Sequence, residues 1–377
     1  MCLITRLIIL FIKTIVRNMS NTTLVGRQLA PLCYMPNGCL VCYRFGDILL
    51  FREGTFLRRF SLFSNLRERL LGYFRLSYRL LRLGVRAAIA IDEQHILLSV
   101  GHRLYELDIE TGILSDGCPC DKDVRPLLFT HVQGIDGFDD GIYYGGYFLN
   151  RDKRPIHIYQ RVGVDQWRKV FTFPQGVINH VHQIVTDPYR QCVWVFTGDF
   201  DEASAIWKVT DHFRLVERVV CNDQKYRACV VHAVPEGLLY ATDSPYNDDY
   251  IYLFHPESLE IEELYPISGS CIYGCRWKDQ YVFSSTVEGD GRYLTPWQFC
   301  FSRKRGSAIK DDFVHLYIGN PKTGFKEIYQ EQKDGWPFYT FQFGVFKFPY
   351  GDNNGDTLFF QPVATQNNDL SLMAFRD

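Results

Sequence analysis

The chain has 377 residues, of which 46% are hydrophobic, 15% aromatic and 22% charged. That is too apolar for a disordered chain and too long for one ordinary compact core, so the length calls for two domains or for one architecture that grows by repetition. With 41 Lys plus Arg against 43 Asp plus Glu, the net charge of -2 excludes a protein that coats nucleic acid without specificity.

In chain order, residues 1–24 come first. Their apolar run, Leu7 to Ile12, is too short to span a bilayer, which takes about 20 residues. If the segment is helical, Arg6, Lys13 and Arg17 fall within a narrow arc and Leu3, Ile8, Ile12 and Ile15 elsewhere. That makes it a basic amphipathic helix on a membrane surface or, if Met19 is the true start, an extension with no structural role. No convincing cleavage site follows, so the expected location is the cytoplasm, with a peripheral position at the inner membrane surface as the variant.

Charge is uneven along the chain: residues 1–90 carry 14 basic and 3 acidic side chains, against 27 and 40 in the remainder. Residues 64–84 predict an amphipathic helix, with Arg75, Arg79 and Arg82 on one face and Leu66, Leu70, Tyr73, Leu80 and Leu81 on the other. Ser64 or Asn65 can cap its start and Gly84 can end it. Its arginine face is either solvated or turned to an anionic membrane or a protein partner.

From residue 27 onward the rest reads as short alternating strands between Gly, Asp, Asn and Pro turns. One unit runs His180 to Thr186, Cys192 to Thr197, Ser204 to Lys208 and Leu215 to Val220; the next runs Arg227 to Val234, Leu238 to Thr242, Tyr250 to Phe254 and Ile261 to Tyr265. Four strands in about 45 residues is the period of a propeller blade. Similar units begin near Gln28, Arg86, Leu127, Ile272 and Thr340, so the expectation is an all-β, single β-propeller over residues 25–377. It has seven blades, the last completed by an N-terminal strand, with six as the alternative count, and a helix inserted between the first two. A pair of two-layer sandwiches is the competing architecture.

The 12 cysteines do not form a metal framework: Cys39 and Cys42 have Cys33 nearby, and Cys118 and Cys120 bracket Pro119, but neither set has a compact second pair. They read as reduced and mostly buried. A loop from Gly289 to Asp312, with Arg303, Lys304 and Arg305, interrupts the sixth unit and suits a binding face.

In a propeller, first strands begin, and second strands end, on the face where ligands usually bind. That rule gathers His180 and His182 of the fourth unit with Asp199, Asp243 and Glu288 at or just past the ends of second strands. Arg227 with Tyr226 and Gln224 joins from the fifth unit, and Arg154 with Asn150 from the third. Carboxylates and imidazoles suit sugar hydroxyls, and arginine suits a carboxylate or phosphate. Asp199, Asp243, Glu288, His180 and His182 are the candidate acid/base residues, with Arg154, Arg227, Asn150, Gln224 and Tyr226 as substrate contacts. A divalent cation on His180, His182 and Asp199 is a further option. No GxSxG, P-loop or GxGxxG motif is present.

The stretch from Tyr144 to Asp243 carries Asn150, Arg154-Pro155, Phe173-Pro174, His180-Val-His182, Asp187-Pro188-Tyr189, Trp194, Thr197-Gly198-Asp199, Gln224, Arg227 and Thr242-Asp243-x-Pro245. It resembles uncharacterised bacterial sialidase-like, Asp-box-related β-propellers associated with surface-polysaccharide gene clusters. The resemblance implies a propeller and a glycan-related role. It departs from the family where Gln160 to Trp167 keeps only the tryptophan of an Asp-box turn, and where Gly146 stands in place of an acid. A sialidase would need three arginines and a tyrosine nucleophile; only Arg154 and Arg227 are well placed, with Tyr226 or Tyr147 as nucleophile, so sialidase activity itself is not expected.

The leading expectation is a carbohydrate-recognising propeller, with glycoside processing as its enzyme form and no nucleic-acid partner. A noncatalytic scaffold docked to a membrane or an enzyme complex is the alternative, and a metal-dependent polysaccharide lyase the third.

Overall fold

The computed structural model describes residues 21–62, 66–121, 124–292 and 294–377. The N-terminal amphipathic segment, through residue 20, and the helix caps at Ser64 or Asn65 lie outside them.

The protein is a seven-bladed β-propeller. Blade 4 shows the plan: His180–Asp187 lies innermost, followed outward by Cys192–Gly198, Ala205–Thr210 and Leu215–Cys221, all antiparallel. Blade 5 begins at Ala228–Val234 and blade 6 at Cys271–Trp277, with the same order. In blade 7 the strands Val345–Lys347, Leu358–Val363 and Leu372–Phe375 come from the C-terminus, and Thr22–Gly26 from the N-terminus supplies the outermost strand. The two chain ends therefore close the ring on each other.

Alternation explains the packing. Each strand buries one side chain set against the preceding blade and the other against the next, so every blade interface has its own apolar core. Between blades 4 and 5 the core holds Trp194, Phe196, Leu238 and Phe254; across the closure, Leu29, Leu40 and Cys42 of blade 1 meet Leu372 of blade 7. Most cysteines act as small apolar members of these cores, and among the described residues no disulfide is formed.

Blade 3 departs from the plan. Its innermost strand is split into Arg125–Pro126 and Thr130–Val132. Pro126 has no N–H to continue the ladder, and Phe129 turns into the core between blades 2 and 3.

The inserted helix differs from expectation in two ways. It is two helices, α1 (Leu66–Tyr73) and α2 (Arg75–Leu80), separated at Phe74, whose backbone is extended at φ -87 and ψ 125. Its arginines also pair with the body of the protein. Arg79 is fully buried and pairs with Asp334 and Asp369; Arg75 reaches the same two carboxylates, and both guanidiniums stack on Trp336, at 4.6 and 4.8 Å. Arg82 donates to the Tyr339 carbonyl at 2.9 Å. Arg75, Arg79 and Arg82 thus staple the insertion to the 333–341 connection, Arg79 fully buried there and Arg82 still exposed to solvent. A guanidinium can be buried where several acceptors meet its planar fork, and two acids separated by 35 positions supply them here. The apolar side is turned out instead: Leu70, Tyr73, Phe74, Leu76, Leu80 and Leu81 are all exposed.

Candidate functional site

The face on which innermost strands begin also carries every second-to-third strand connection. Five blades bulge near the start of the innermost strand, the register slipping across Leu32, Arg86, His182, Cys229 and Ile272. A bulge re-aims one side chain and tightens the local twist. Here it turns His182, Cys229 and Arg86 toward the axis at the mouth of the channel.

Asp199, one residue past the second strand of blade 4, is the hub. Its Oδ1 lies 3.1 Å from His180 Nε2, 3.4 Å from His182 Nε2 and 3.3 Å from Arg227 Nη2. The same Arg227 nitrogen reaches Asp243 Oδ2 at 3.5 Å, and Cys229 Sγ lies 3.3 Å from that oxygen. The Asp199 backbone is held too: Asn179 accepts its N–H, while Gln224 Nε2 and Arg227 Nη1 donate to its carbonyl at 3.0 and 3.3 Å. Glu288, from the loop after the second strand of blade 6, accepts a hydrogen bond from the Ser270 hydroxyl. The Tyr147 ring lies 4.4 Å from that of His180 and packs under the Arg86 guanidinium.

Room for this cluster depends on Gly198. A Cβ there would fall 2.2 Å from Cε1 of His182, so only glycine leaves the imidazole its place.

The electrostatics divide the carboxyls. Burial pushes Asp199 up, but His180 and Arg227 beside it outweigh this and hold it well below the usual carboxylate range. Burial, reinforced by the charge of Asp243, pushes Glu288 up to about 8. Burial also lowers His182, against the pull of Asp199, and the Cys229 thiol is raised well above its ordinary value by burial and by Asp243. Arg227 keeps its proton because Asp199, Asp243 and Glu288 together overcome its desolvation. Near neutral pH the site thus combines an ionised Asp199, a protonated Glu288, a neutral His182 and one guanidinium already shared between two acids.

The structure therefore brings together His180, His182, Asp199, Arg227, Asp243 and Glu288, six positions that the blade rule collects from the sequence. Gln224 supports the cluster through the Asp199 backbone rather than facing a ligand. Three expected contacts lie elsewhere. Asn150 is a buried staple whose amide bonds the Arg154 and Asn179 carbonyls, both at 2.9 Å. The Arg154 guanidinium stacks over Phe148 at 4.8 Å, outside the cluster. Tyr226 packs edge-on to Phe254 in the core between blades 4 and 5. In each case an apolar or backbone partner engages the side chain away from the cluster. Cys229, Ser270 and Arg86 were not expected here. Cys229 reads as one more buried thiol, and only strand register shows that it is bulged.

Below the mouth, a cavity of about 1490 Å3 opens from the opposite face along the channel and reaches Cys229. The polar cluster therefore closes one end of the channel. Above it, Phe200 and Tyr246 stack at 6.3 Å, with Phe200 lying over Arg227, and give the mouth an aromatic wall.

No family model matches the chain, and no curated protein does. Solved structures do match. The chain aligns with the β-propeller domain of Myceliophteria thermophila Cps50 (Swd1) at a TM-score of 0.53 and 8% identity, covering 94% of this chain and 99% of that one. It aligns with the AfRom2 CNH domain at 0.51 and 9%, over 94% and 99%, and with a chain of a mitotic checkpoint complex at 0.51 and 7%, over 93% and 90%. At such identities the likeness shows the fold alone.

Proposed function

We propose that this propeller recognises a hydroxyl-rich ligand, a carbohydrate or its precursor, at the mouth formed by blades 4 to 6. In the enzyme form of this reading, Glu288 is the general acid and Asp199 the ionised carboxylate of a glycosidic reaction. One observation carries it: Asp199 lies 3.3 Å from the Arg227 guanidinium, whereas Glu288 is buried with the neutral Ser270 hydroxyl as its partner, and two environments that pull carboxyls in opposite directions are what divides acid from base. The aromatic wall of Phe200 and Tyr246 would stack on sugar C–H faces. The likeness to sialidase-like propellers points the same way, with two limits. A sialate carboxylate would meet one guanidinium already engaged by two acids, and Arg154 stands away from it. A neutral sugar fits this site better than an anionic one.

Screening the full chain on a glycan array tests the reading. A defined class of neutral glycans should bind, and Asp199→Asn should weaken it by at least about tenfold, the equivalent of one charge-assisted hydrogen bond. An array without hits, or hits unchanged by the substitution, would reject it.

The scaffold reading has its own observation. The connection holding α1 and α2, the blade 6 insertion with α3 (Pro296–Phe301) and the connection with α4 (Phe338–Phe341) all lie on the site's face, and α4 touches both α2 and α3. Trp297 and Phe301 are exposed on this face, as are Leu76, Leu80 and Leu81, and Arg82 and Arg303 are exposed on the same connections. Aromatic and leucine side chains flanked by cations suit the interface of an anionic bilayer. On this reading the protein would float with phosphatidylserine-containing liposomes, and a Leu76→Glu, Leu80→Glu, Trp297→Glu triple variant would stay behind. Flotation unaltered by those changes would exclude that surface. Among the described residues, no helix is long and apolar enough to cross a membrane.

A further inference from the structure

Three lone-pair atoms meet at the mouth: the Nε2–Nε2 distance between His180 and His182 is 2.9 Å, and Asp199 Oδ1 lies 3.1 and 3.4 Å from the two nitrogens. The His180 tautomer is fixed from outside the triangle. Its Nδ1 lies 3.0 Å from the Phe148 carbonyl, which can only accept, so Nδ1 carries a proton, and in the neutral imidazole, the form that ligates a metal, Nε2 presents its lone pair inward. His182 is 2% exposed and its Nδ1 has no partner among the described residues, so none of them commits its Nε2 to donating. One shared proton bridges two of the three atoms well and leaves the third facing a lone pair.

We propose that His180, His182 and Asp199 form a site for a divalent first-row transition ion, of which zinc is the type case. Metal–nitrogen and metal–oxygen bonds of about 2.0–2.2 Å place neighbouring donors roughly 3.3–3.6 Å apart in a tetrahedron and about 2.8–3.1 Å apart in an octahedron. The three edges fall within that span. Two imidazoles and one carboxylate select zinc, iron(II) or their neighbours over calcium and magnesium, which take oxygen ligands. The supporting shell is present as well. The Phe148 carbonyl orients His180, and Gln224 with Arg227 anchors the Asp199 backbone. Cys229 and Asp243 lie beside His182 as a second, overlapping donor set. Asp199 keeps 22% of its side chain exposed, so the ion is reached from the mouth and retains open positions for water or a ligand hydroxyl.

This goes beyond the carbohydrate reading, and its test is separate. Chelator-stripped full-length protein is titrated calorimetrically with zinc and, in parallel, with cobalt(II). The expected result is one equivalent of each, with visible ligand-field bands for cobalt. His182→Gln and Asp199→Asn should each weaken uptake by at least about a hundredfold, while His102→Gln, at an exposed position, leaves it unchanged. Circular dichroism identifies any variant that fails to fold; Asp199→Asn keeps its shape and is partly exposed, so it carries the test if His182→Gln does not fold. Absence of stoichiometric uptake would leave a proton as the occupant of the triangle and overturn the proposal. Uptake undiminished in Asp199→Asn would place the ion elsewhere and overturn it equally. Zinc binding without any glycan binding would sink the carbohydrate reading alone.

Discussion

Arg227→Met will destabilise the fold by about 3–5 kcal/mol at neutral pH, the range found when one partner of a buried ion pair is removed. The guanidinium is 7% exposed, and one of its nitrogens spans Asp199 and Asp243. Methionine fills much of the volume but leaves two acids facing each other with no cation between them. The pH dependence has a definite sign. Asp199 is held well below its ordinary value in the fold, so its contribution is present above the unfolded carboxylate pKa, about 3.9, and is lost as pH falls below it. In the variant the share of that depression owed to Arg227 disappears, while His180 still draws Asp199 down. The deficit against wild type should therefore hold its full size from pH 7 down to about pH 5 and shrink only as pH falls below about 4, as measured by urea denaturation at each pH. A deficit below about 1 kcal/mol at pH 7 is what a solvent-exposed pair shows; it would mean that water reaches the cluster and that the site is not the buried one described above.

Much of this cluster could be read before any coordinates, because propeller geometry converts sequence position into spatial position. A residue that opens an innermost strand and one that ends a second strand share a rim whatever their separation. His180, Asp199, Arg227 and Asp243 are found that way, and so is Glu288, although it lies three positions past its strand. The rule fails where a loop intervenes. Asn150 and Arg154 sit in a connection that folds back on itself, and Tyr226 in a short 3-10 turn (Gln224–Tyr226) that points its ring between blades. Cys229 was hidden for another reason: strand alternation assumes an unbroken ladder, and a bulge exchanges inward for outward without any sign in the local composition.

The insertion shows the opposite failure, in which the periodicity is real but its polarity is reversed. The arginines and leucines of residues 64–84 do separate by face, and alone they imply cations in water and leucines on the protein. What decides otherwise is the acid pair Asp334 and Asp369, far along the chain and unremarkable there. A helix face of arginines next to two fixed carboxylates gains more by pairing than by hydration, and the leucines take the outer side. Hydrophobic pattern gave the division; the partner gave the direction.

Glu288→Gln will flatten a fall in stability that wild type shows between about pH 4.5 and pH 8. Glu288 is 8% exposed and is pushed up to about 8, first by burial and then by Asp243. In the unfolded chain it ionises at its ordinary value, about 4.3. Between those two pH values the folded state holds a proton that the unfolded state has released, so the stabilisation is complete below the unfolded pKa and is lost as pH rises through the folded one. At about 1.4 kcal/mol for each pH unit, the loss is on the order of 4 kcal/mol across the window. Glutamine keeps the neutral shape and cannot ionise, so denaturation curves at pH 5 and pH 8.5 should show the variant gaining on wild type by an amount of that order. Its amide also offers the Ser270 hydroxyl an acceptor, so the comparison isolates the charge from the hydrogen bond. Parallel stability profiles for the two proteins would mean that Glu288 ionises as an ordinary surface carboxylate does. The proposed pair would then lose its acid, while the donor triangle of His180, His182 and Asp199 would be untouched.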